Sequence, residues 1–248
     1  MLRRRLLLGV VASAAVLGPP SMPAHAGSFS ISPVRLDLSS AARSASLTVR
    51  NEEREALVQA QVMLWEQVEG EEKLTPTRDL LVSPAVFTLA RDGSQLVRVA
   101  LRSAPTDPTR ELSYRLILQE VPQPANPNFS GLQIALRLSV PVFVAKRGAI
   151  GPALAWSAAP SGNGLVITAQ NSGDVHARVR GFSIGPAVGD AAPLVQPVAT
   201  YILPGQARSW SLGQKQGDTT SAAGWRRLRL KVTTDDGESE IELDTSGE

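Results

Sequence analysis

The 248-residue sequence has no cysteine, two histidines and few aromatic residues. Without cysteine, the chain cannot contain a disulfide framework, a thiolate nucleophile or a cysteine-ligated metal centre. It also lacks the glycine patterns of dinucleotide-binding folds and of P-loop proteins. These absences argue against the commonest cofactor-dependent and nucleotide-dependent enzymes.

The sequence also has no net positive charge if its N-terminal segment is removed. Arg3–Arg5, the apolar run Leu6–Leu17 and Ala24-His25-Ala26 match the three parts of a secretory signal peptide, cleaved before Gly27. Removing residues 1–26 takes away three arginines, which leaves 22 basic against 23 acidic residues. We therefore expect a protein that works outside the cytoplasm, exported by the general route rather than the twin-arginine route, with no nucleic-acid partner.

His176 is then the only histidine, which is too few for a histidine metal cluster. It follows a turn at Ser172-Gly173-Asp174 and precedes a strand pattern, so a structural or surface role is expected. No serine is indicated as its catalytic partner. We predict that the protein is not an enzyme, and we expect no cofactor, no metal and no small-molecule substrate.

What the sequence does have is alternation of apolar and polar residues. Val58–Trp65 and Ser46–Arg50 alternate with period two, and further short patterns recur at roughly ten-residue spacing up to Leu243. This predicts an all-β protein. Its length suits two immunoglobulin-like sandwiches of about 100 residues each, and we place them at residues 27–146 and 147–248.

The last hairpin can be predicted residue by residue. Asp236-Gly237 favours a two-residue type I′ turn, which would pair Lys231 with Glu242 and Val232 with Ile241. Opposite charges would then face each other on one side and aliphatic residues on the other. The basic and acidic runs of this hairpin are therefore interpreted as a solvated surface rather than a binding patch.

The most unusual segment is Leu132–Val144, LQIALRLSVPVFV, in which every second residue is apolar. Thirteen residues exceed the usual five or six of a strand, so part of the row should extend beyond the core. Pro141 favours an edge position, because proline cannot donate to a ladder. Periodicity alone leaves open a long buried strand instead.

A second unusual segment is Phe29–Leu38, where the apolar phase changes at Pro33. The change predicts either a bulge or a chain that passes from one sheet to the other. Arg35 keeps the phase of Phe29 and Ile31, so it points either inward to a cleft or, as most strand arginines do, to solvent.

Several short segments, in this order and spacing, resemble the periplasmic pilus-assembly chaperones of the chaperone–usher pathway. They are Val34–Leu36, Ser46–Asn51, Ala60–Val62, Val82–Ala85 with Arg91–Gly93, Tyr114–Leu116, Gln119–Pro122, Leu132–Leu136, Gln170–Asn171, Ala177–Val179 and Leu203–Gly205. The lack of cysteine and the segment Arg137–Val144 most resemble the archaic branch, which is associated with spore-coat-U-like subunits.

The resemblance implies two immunoglobulin-like sandwiches set in an L with a cleft between them. It implies partners too: a pilus subunit that receives an edge strand from the chaperone, and an outer-membrane usher to which the subunit is delivered for fimbrium biogenesis and cell wall organization. The donor residues would be Leu132, Ile134 and Leu136, extended by Leu138 and Val140.

In the family, the subunit's C-terminal carboxylate is held by an arginine and a lysine in the cleft. Arg35 matches the arginine, and a guanidinium suits a carboxylate because it donates two charge-assisted hydrogen bonds. The lysine position is Pro141 in this sequence. Arg137 and Arg115 are candidate replacements, and Arg35 alone is the other possibility.

The alternative function is an exported immunoglobulin-like adhesion or structural module without chaperone activity. Such a module would not bind an incomplete subunit through its open groove and C-terminus. Self-association of the free protein through its edge strand is left open by the sequence.

Overall fold

The computed structural model describes residues 29–103, 109–122, 134–162, 164–189, 192–213 and 224–245. All regular secondary structure in these residues is β-strand, which confirms the all-β prediction. Within them, no helix is long and apolar enough to cross a membrane. The predicted signal peptide lies outside the described residues.

The N-terminal part of the chain forms two sheets that enclose one core. Its strands are β1 (Phe29–Ser32), β2 (Leu36–Leu38), β3 (Ser44–Asn51), β4 (Ala56–Val68), β5 (Glu71–Pro76), β6 (Leu80–Ser83), β7 (Val86–Leu89), β8 (Ser94–Leu101), β9 (Leu112–Glu120) and β10 (Arg137–Val144). One sheet has the order β1-β3-β8-β6, and the other has β2-β10-β9-β4-β5 with β7 beside β4.

The C-terminal part repeats this layered arrangement around a second core. Its strands are β11 (Leu154–Ser161), β12 (Gly164–Asn171), β13 (Ala177–Pro186), β14 (Leu194–Ile202), β15 (Ala207–Leu212), β16 (Arg227–Thr234) and β17 (Gly237–Asp244). The sheets have the orders β11-β12-β15 and β14-β13-β16-β17. The prediction of two β-sandwich domains is confirmed, and the proposed division at residues 146/147 falls between β10 and β11.

Alternation in the sequence placed the core correctly in the long strands. Val58, Ala60 and Val62 on β4 are buried, while Gln59 and Gln61 between them are exposed. Leu47 and Val49 on β3 face the same core from the opposite sheet. Burying such aliphatic side chains provides most of the stabilisation of each sandwich, at roughly 25 cal/mol per Å² of apolar surface.

The phase change at Pro33 is a crossing between sheets, one of the two predicted possibilities. Phe29 and Ile31 pack on the core from β1 in the first sheet, and Leu36 and Leu38 pack on it from β2 in the second. Val34 does not continue the buried row, because it lies in the connecting segment and is exposed. The crossing carries Arg35 to the start of β2.

A buried asparagine closes a corner in each domain, at the end of β3 and of β12. The Asn171 side-chain amide donates to the carbonyls of Val175 and Ile202, and its Oδ1 accepts from the backbone N–H groups of Ala153 and Gly173. Asn51 satisfies loop backbone groups in the same manner. These contacts explain why an asparagine follows both strand patterns, since buried backbone groups need partners.

The register of the last hairpin differs from the prediction by two residues. Lys231 pairs with Glu240 and Leu230 pairs with Ile241, so the loop is Asp235-Asp236 rather than Asp236-Gly237. The turn is fixed instead by Thr234, whose hydroxyl accepts from the N–H of Asp236 and donates to the carbonyl of Gly237. A shift of two preserves both faces, so charges still pair on the hairpin surface, but Asp235 becomes a loop residue.

Candidate functional site

The apolar row of residues 134–144 passes from solvent into the core along its length. Ile134 is 47% exposed, Leu136 and Leu138 are intermediate, and Val140 is completely buried. The strand begins at Arg137 rather than Leu132, and residues 134–136 precede it without regular secondary structure. Leu132 lies outside the described residues.

This gradient corrects one of the proposed donor residues. Val140 belongs to the N-terminal core, so its side chain cannot enter the groove of another protein. Leu138 also packs partly against that core. Of the predicted donor residues that the structure describes, Ile134 and Leu136 remain accessible.

One side of this strand is open over half of its length. β10 pairs with β9 from Arg137 to Val144, but on its other side it pairs with β2 only from Val142 to Val144. The edge position inferred from Pro141 is therefore correct for the N-terminal half of the strand. Within the described residues, nothing pairs with residues 137–141 on the side opposite β9.

The hydrogen bonds to β9 show which backbone groups this open edge presents. The N–H of Glu120 donates to the carbonyl of Leu136, and the N–H of Leu136 donates to the Glu120 carboxylate. Alternate residues of an antiparallel strand direct their backbone groups to opposite sides. Arg137 and Ser139 therefore present theirs to the open edge, ready to pair with an added strand.

The outer face of the same sheet packs against the C-terminal domain through aromatic rings. Trp65 on β4 and Phe143 on β10 are buried with Leu203, and Tyr201 packs beside them. The Phe143 ring stacks on His176 at 3.6 Å between centroids and 9° between planes. The Tyr201 ring contacts Trp65 edge-on at 5.7 Å.

Hydrogen bonds fix the relative position of the two domains around these rings. The Gln67 side chain donates to the carbonyl of Tyr201 at 2.8 Å and accepts from the N–H of Leu203 at 2.9 Å. The His176 Nδ1 lies 2.6 Å from the Glu111 Oε1. His176 therefore has a structural role at the domain interface. Its contacts there are the Glu111 carboxylate and the Phe143 ring, not a nucleophile.

A further interdomain link connects Lys146 to Asp174, and it has a pH dependence. The Lys146 Nζ donates to the Asp174 Oδ2 at 2.9 Å, and the N–H groups of Gly151 and Ile150 donate to its Oδ1. These bonds, that of Lys146 foremost and that of Gly151 next, lower the pKa of Asp174 from 3.8 to about 2. The charged carboxylate therefore fastens the segment between the domains.

Acidification is expected to release this link, and Asp174→Asn should remove the effect. The folded pKa is depressed, so the contribution to stability is present above pH 3.8 and is lost as the pH falls through about 2. Urea unfolding at pH 5 and pH 2.5 should show a smaller fall in stability for Asp174→Asn than for the wild type. Asp92→Asn, at a surface turn, is the control, and equal falls in all three proteins would contradict the assignment.

Arg35 lies where the two domains meet, which is one of the two positions that its phase left open. Its side chain is 39% exposed; its Nε donates to Asp37 Oδ2 at 3.0 Å, and its Nη1 lies 3.7 Å from Asp235 Oδ2 in the C-terminal hairpin loop. Arg178 and Arg180 on β13 reach the same Asp235 carboxylate. Nothing in the sequence indicated that any of these three C-terminal residues belongs to the site.

The two candidate replacements for the missing lysine occupy different environments. Arg115 is directly opposite Pro141 on β9, where its guanidinium lies 3.6 Å from the Trp65 ring and donates to Glu72 at 2.6 Å. Arg137 is exposed and lies four residues before Pro141, about 13 Å along the strand at ~3.3 Å per residue. The register of β10 therefore places Arg137 away from Arg35, which lies at the start of β2.

A serine-hydrolase sequence pattern is present, but it does not form a nucleophile elbow. Residues 181–185 read Gly-Phe-Ser-Ile-Gly, which fits G-x-S-x-G. A nucleophile elbow requires a sharp turn between a strand and a helix, whereas these five residues lie inside β13 and pair with β14 and β16.

The comparisons with known proteins agree with this architecture. Residues 28–148 match the family model described as pili and flagellar-assembly chaperone, PapD N-terminal domain. A search of curated protein sequences finds no match.

Solved structures of similar fold cover most of the chain. One is from the CsuC–CsuE chaperone–tip adhesion subunit pre-assembly complex of archaic chaperone–usher Csu pili of Acinetobacter baumannii, at 18% identity, a TM-score of 0.63 and coverage of 87% of this chain and 98% of that one. The YadV chaperone matches at 18% identity, a TM-score of 0.61 and coverage of 87% and 99%. The Salmonella enterica SafA pilin–SafB chaperone complex matches at 18% identity, a TM-score of 0.58 and coverage of 90% and 98%. At these identities, the likeness establishes the fold.

Proposed function

This chain belongs through its N-terminal domain to the pili and flagellar-assembly chaperones, and we propose that it captures pilus subunits by lending them the edge segment at residues 134–141. The protein is a pilus-assembly chaperone, and the proposal concerns how it works. Its partner is an incomplete subunit in the periplasm, which it passes to an outer-membrane usher. The family match does not favour the alternative of an adhesion or structural module.

The open edge of β10 is the observation that supports this proposal most strongly. It combines unpaired backbone positions with an exposed isoleucine, an arrangement that normally invites aggregation. Adding a subunit strand would satisfy the backbone groups, and a groove in the subunit would bury Ile134 and Leu136. Edge-strand addition distributes recognition in this way: main-chain hydrogen bonds give affinity, and pockets for alternate side chains give specificity.

Co-purification tests the proposed function directly. The tagged protein would be co-expressed with candidate subunits and recovered from the periplasm, and the bound polypeptides would be identified. A subunit that accumulates only with this protein and co-purifies with it is the expected result. Recovery of the protein alone, with every candidate subunit equally abundant in its absence, would refute the proposal.

Arg35 is proposed as an anchor for the subunit's C-terminal carboxylate, so Arg35→Ala should weaken the complex. Loss of charge-assisted hydrogen bonds, each worth about 1.5–3 kcal/mol, predicts a fall in affinity of at least tenfold. The dissociation constant of the purified chaperone–subunit pair is the measurement. Arg98→Ala, on an exposed position of β8 in the opposite sheet, is the matched control. Equal affinities for both variants would place the anchor elsewhere.

A further inference from the structure

The Asp235 carboxylate lies among three arginines that come from both domains. Its Oδ1 accepts from Arg180 Nε at 2.7 Å, and its Oδ2 lies 3.7 Å from Arg35 Nη1 and 3.9 Å from Arg178 Nη1. Arg35 belongs to the N-terminal domain, whereas Arg178 and Arg180 belong to the C-terminal domain. The guanidinium groups of Arg35 and Arg178, one from each domain, therefore lie near the same oxygen, Asp235 Oδ2.

The charges of this cluster are unbalanced in favour of an additional anion. Among the described residues, the ion pairs of the three arginines are with Asp37 and Asp235 alone. Three positive charges thus face two negative ones. The contacts to Asp235 Oδ2 are also longer than the 2.7–2.9 Å of a good charge-assisted hydrogen bond, so Arg35 and Arg178 retain donor capacity.

In the described part of the chain, the Arg178 side chain also has a donor group without a hydrogen-bond partner. Its Nε, like that of Arg115, is buried and has no hydrogen-bond partner among the described residues, which is a costly arrangement for a charged group. Its guanidinium lies 5.4 Å from the centroid of the Tyr201 ring, which itself packs on Trp65 and Phe143. The side chain is 33% exposed, so it is held in place and still accessible.

We propose that Arg178 is the second base of the carboxylate anchor, and that the anchor spans both domains. The subunit's C-terminal carboxylate would bind between Arg35 and Arg178, at the position that Asp235 Oδ2 approaches in the free protein. Asp235 keeps the two guanidinium groups together until the subunit arrives and then competes with its carboxylate. This inference rests on the proposed function, and it accounts for the proline at the position where the family has a lysine.

The other cations near the cleft are less suitable. Arg180 is 59% exposed, and its Nε already donates to Asp235 at 2.7 Å. Arg115 is engaged with Glu72 and covered by the Trp65 ring. Arg137 lies too far along β10 from Pro141 for its guanidinium to replace a lysine at that position.

A pair of synthetic peptides tests the anchor separately from strand addition. The probes are an eight-residue peptide of alternating valine and threonine with a free C-terminal carboxylate, and the same peptide as its C-terminal amide. Binding is followed by NMR through the backbone signals of residues 134–141 and the Nε–Hε signals of Arg35 and Arg178. The backbone shifts report strand addition, whereas the ratio of the acid and amide dissociation constants reports the anchor.

The wild-type protein should prefer the acid peptide by at least tenfold. Arg178→Gln should reduce this preference below about threefold while leaving amide binding unchanged, and Arg178→Lys should restore part of it. Arg137→Gln is the control and should retain the full preference. If Arg178→Gln retains the full preference, or if the wild type shows no preference, the proposal is overturned.

Asp235→Asn provides an independent test should Arg178→Gln fold poorly. Removing the competing carboxylate is expected to strengthen binding of the acid peptide several-fold without affecting the amide. An unchanged or weakened preference would overturn the proposal. Backbone shifts at residues 134–141 without any acid preference would contradict the two-domain anchor alone, whereas absence of those shifts with either peptide would count against strand donation as well.

Discussion

Replacing Ile134 by aspartate is expected to abolish capture of pilus subunits while leaving the chaperone folded. Ile134 is 47% exposed and precedes β10, so a charge there meets solvent in the free protein. In the complex the same side chain would enter an apolar groove. Burying an isoleucine contributes roughly 1.5–3 kcal/mol, and forcing an unpaired carboxylate into that groove costs several kcal/mol more. Together these effects predict a loss of affinity of at least about a thousandfold.

The comparison needs a charge placed on the same edge but outside the groove. Ser139→Asp fits, because Ser139 is exposed and lies on the opposite face of β10 from Leu138 and Val140. Co-expression should recover subunit with Ser139→Asp and Ile134→Val but not with Ile134→Asp. Circular dichroism and thermal unfolding of the purified variants verify the fold. A folded Ile134→Asp protein that retains the subunit would exclude the donor role of this row.

The apolar row shows how far sequence reasoning reaches at this site. Alternation identified correctly which side chains share a face, because strand periodicity is a local property of the backbone. It could not show where along the row the core ends, since that depends on how far β9 and β2 extend beside it. Val140 therefore looked equivalent to Ile134, although one is buried in the domain and the other projects beyond it.

The cluster around Asp235 was beyond sequence reasoning for a different reason. Arg35 and Asp235 are 200 residues apart, and no spacing in the chain predicts their contact. The turn prediction compounded the problem, because Asp236-Gly237 was expected to form the loop and Asp235 to pair with Glu238. Asp236-Gly237 favours a type I′ turn locally, but the hydrogen bonds of the Thr234 hydroxyl stabilise a turn one residue earlier, at Asp235-Asp236.

The aromatic interface between the domains carries the second large expected effect. Phe143→Ala should destabilise the protein by about 3–5 kcal/mol, the usual loss for truncating a buried phenylalanine. Phe143 is almost completely buried among Trp65, Tyr201 and His176. The truncation therefore removes ring contacts to Trp65 in the N-terminal domain and to Tyr201 and His176 in the C-terminal domain. Because the side chain belongs to the interface rather than to either sandwich core, the coupling between domains should weaken most.

Calorimetry distinguishes lost coupling from general destabilisation. If the interface joins the domains into one cooperative unit, wild-type unfolding is a single transition, and Phe143→Ala should divide it into two. Phe182→Ala is the matched control, since Phe182 is equally large and buried but lies in the C-terminal core. It should lower the stability of its own domain without exposing a separate N-terminal transition of the kind seen for Phe143→Ala. A single transition in Phe143→Ala would mean that the polar links of Gln67, Glu111 and Lys146 couple the domains without the rings.

Since Arg35 and Arg178 belong to different domains, lost coupling should also lower the preference for a free C-terminal carboxylate, which connects the interface to the proposed anchor.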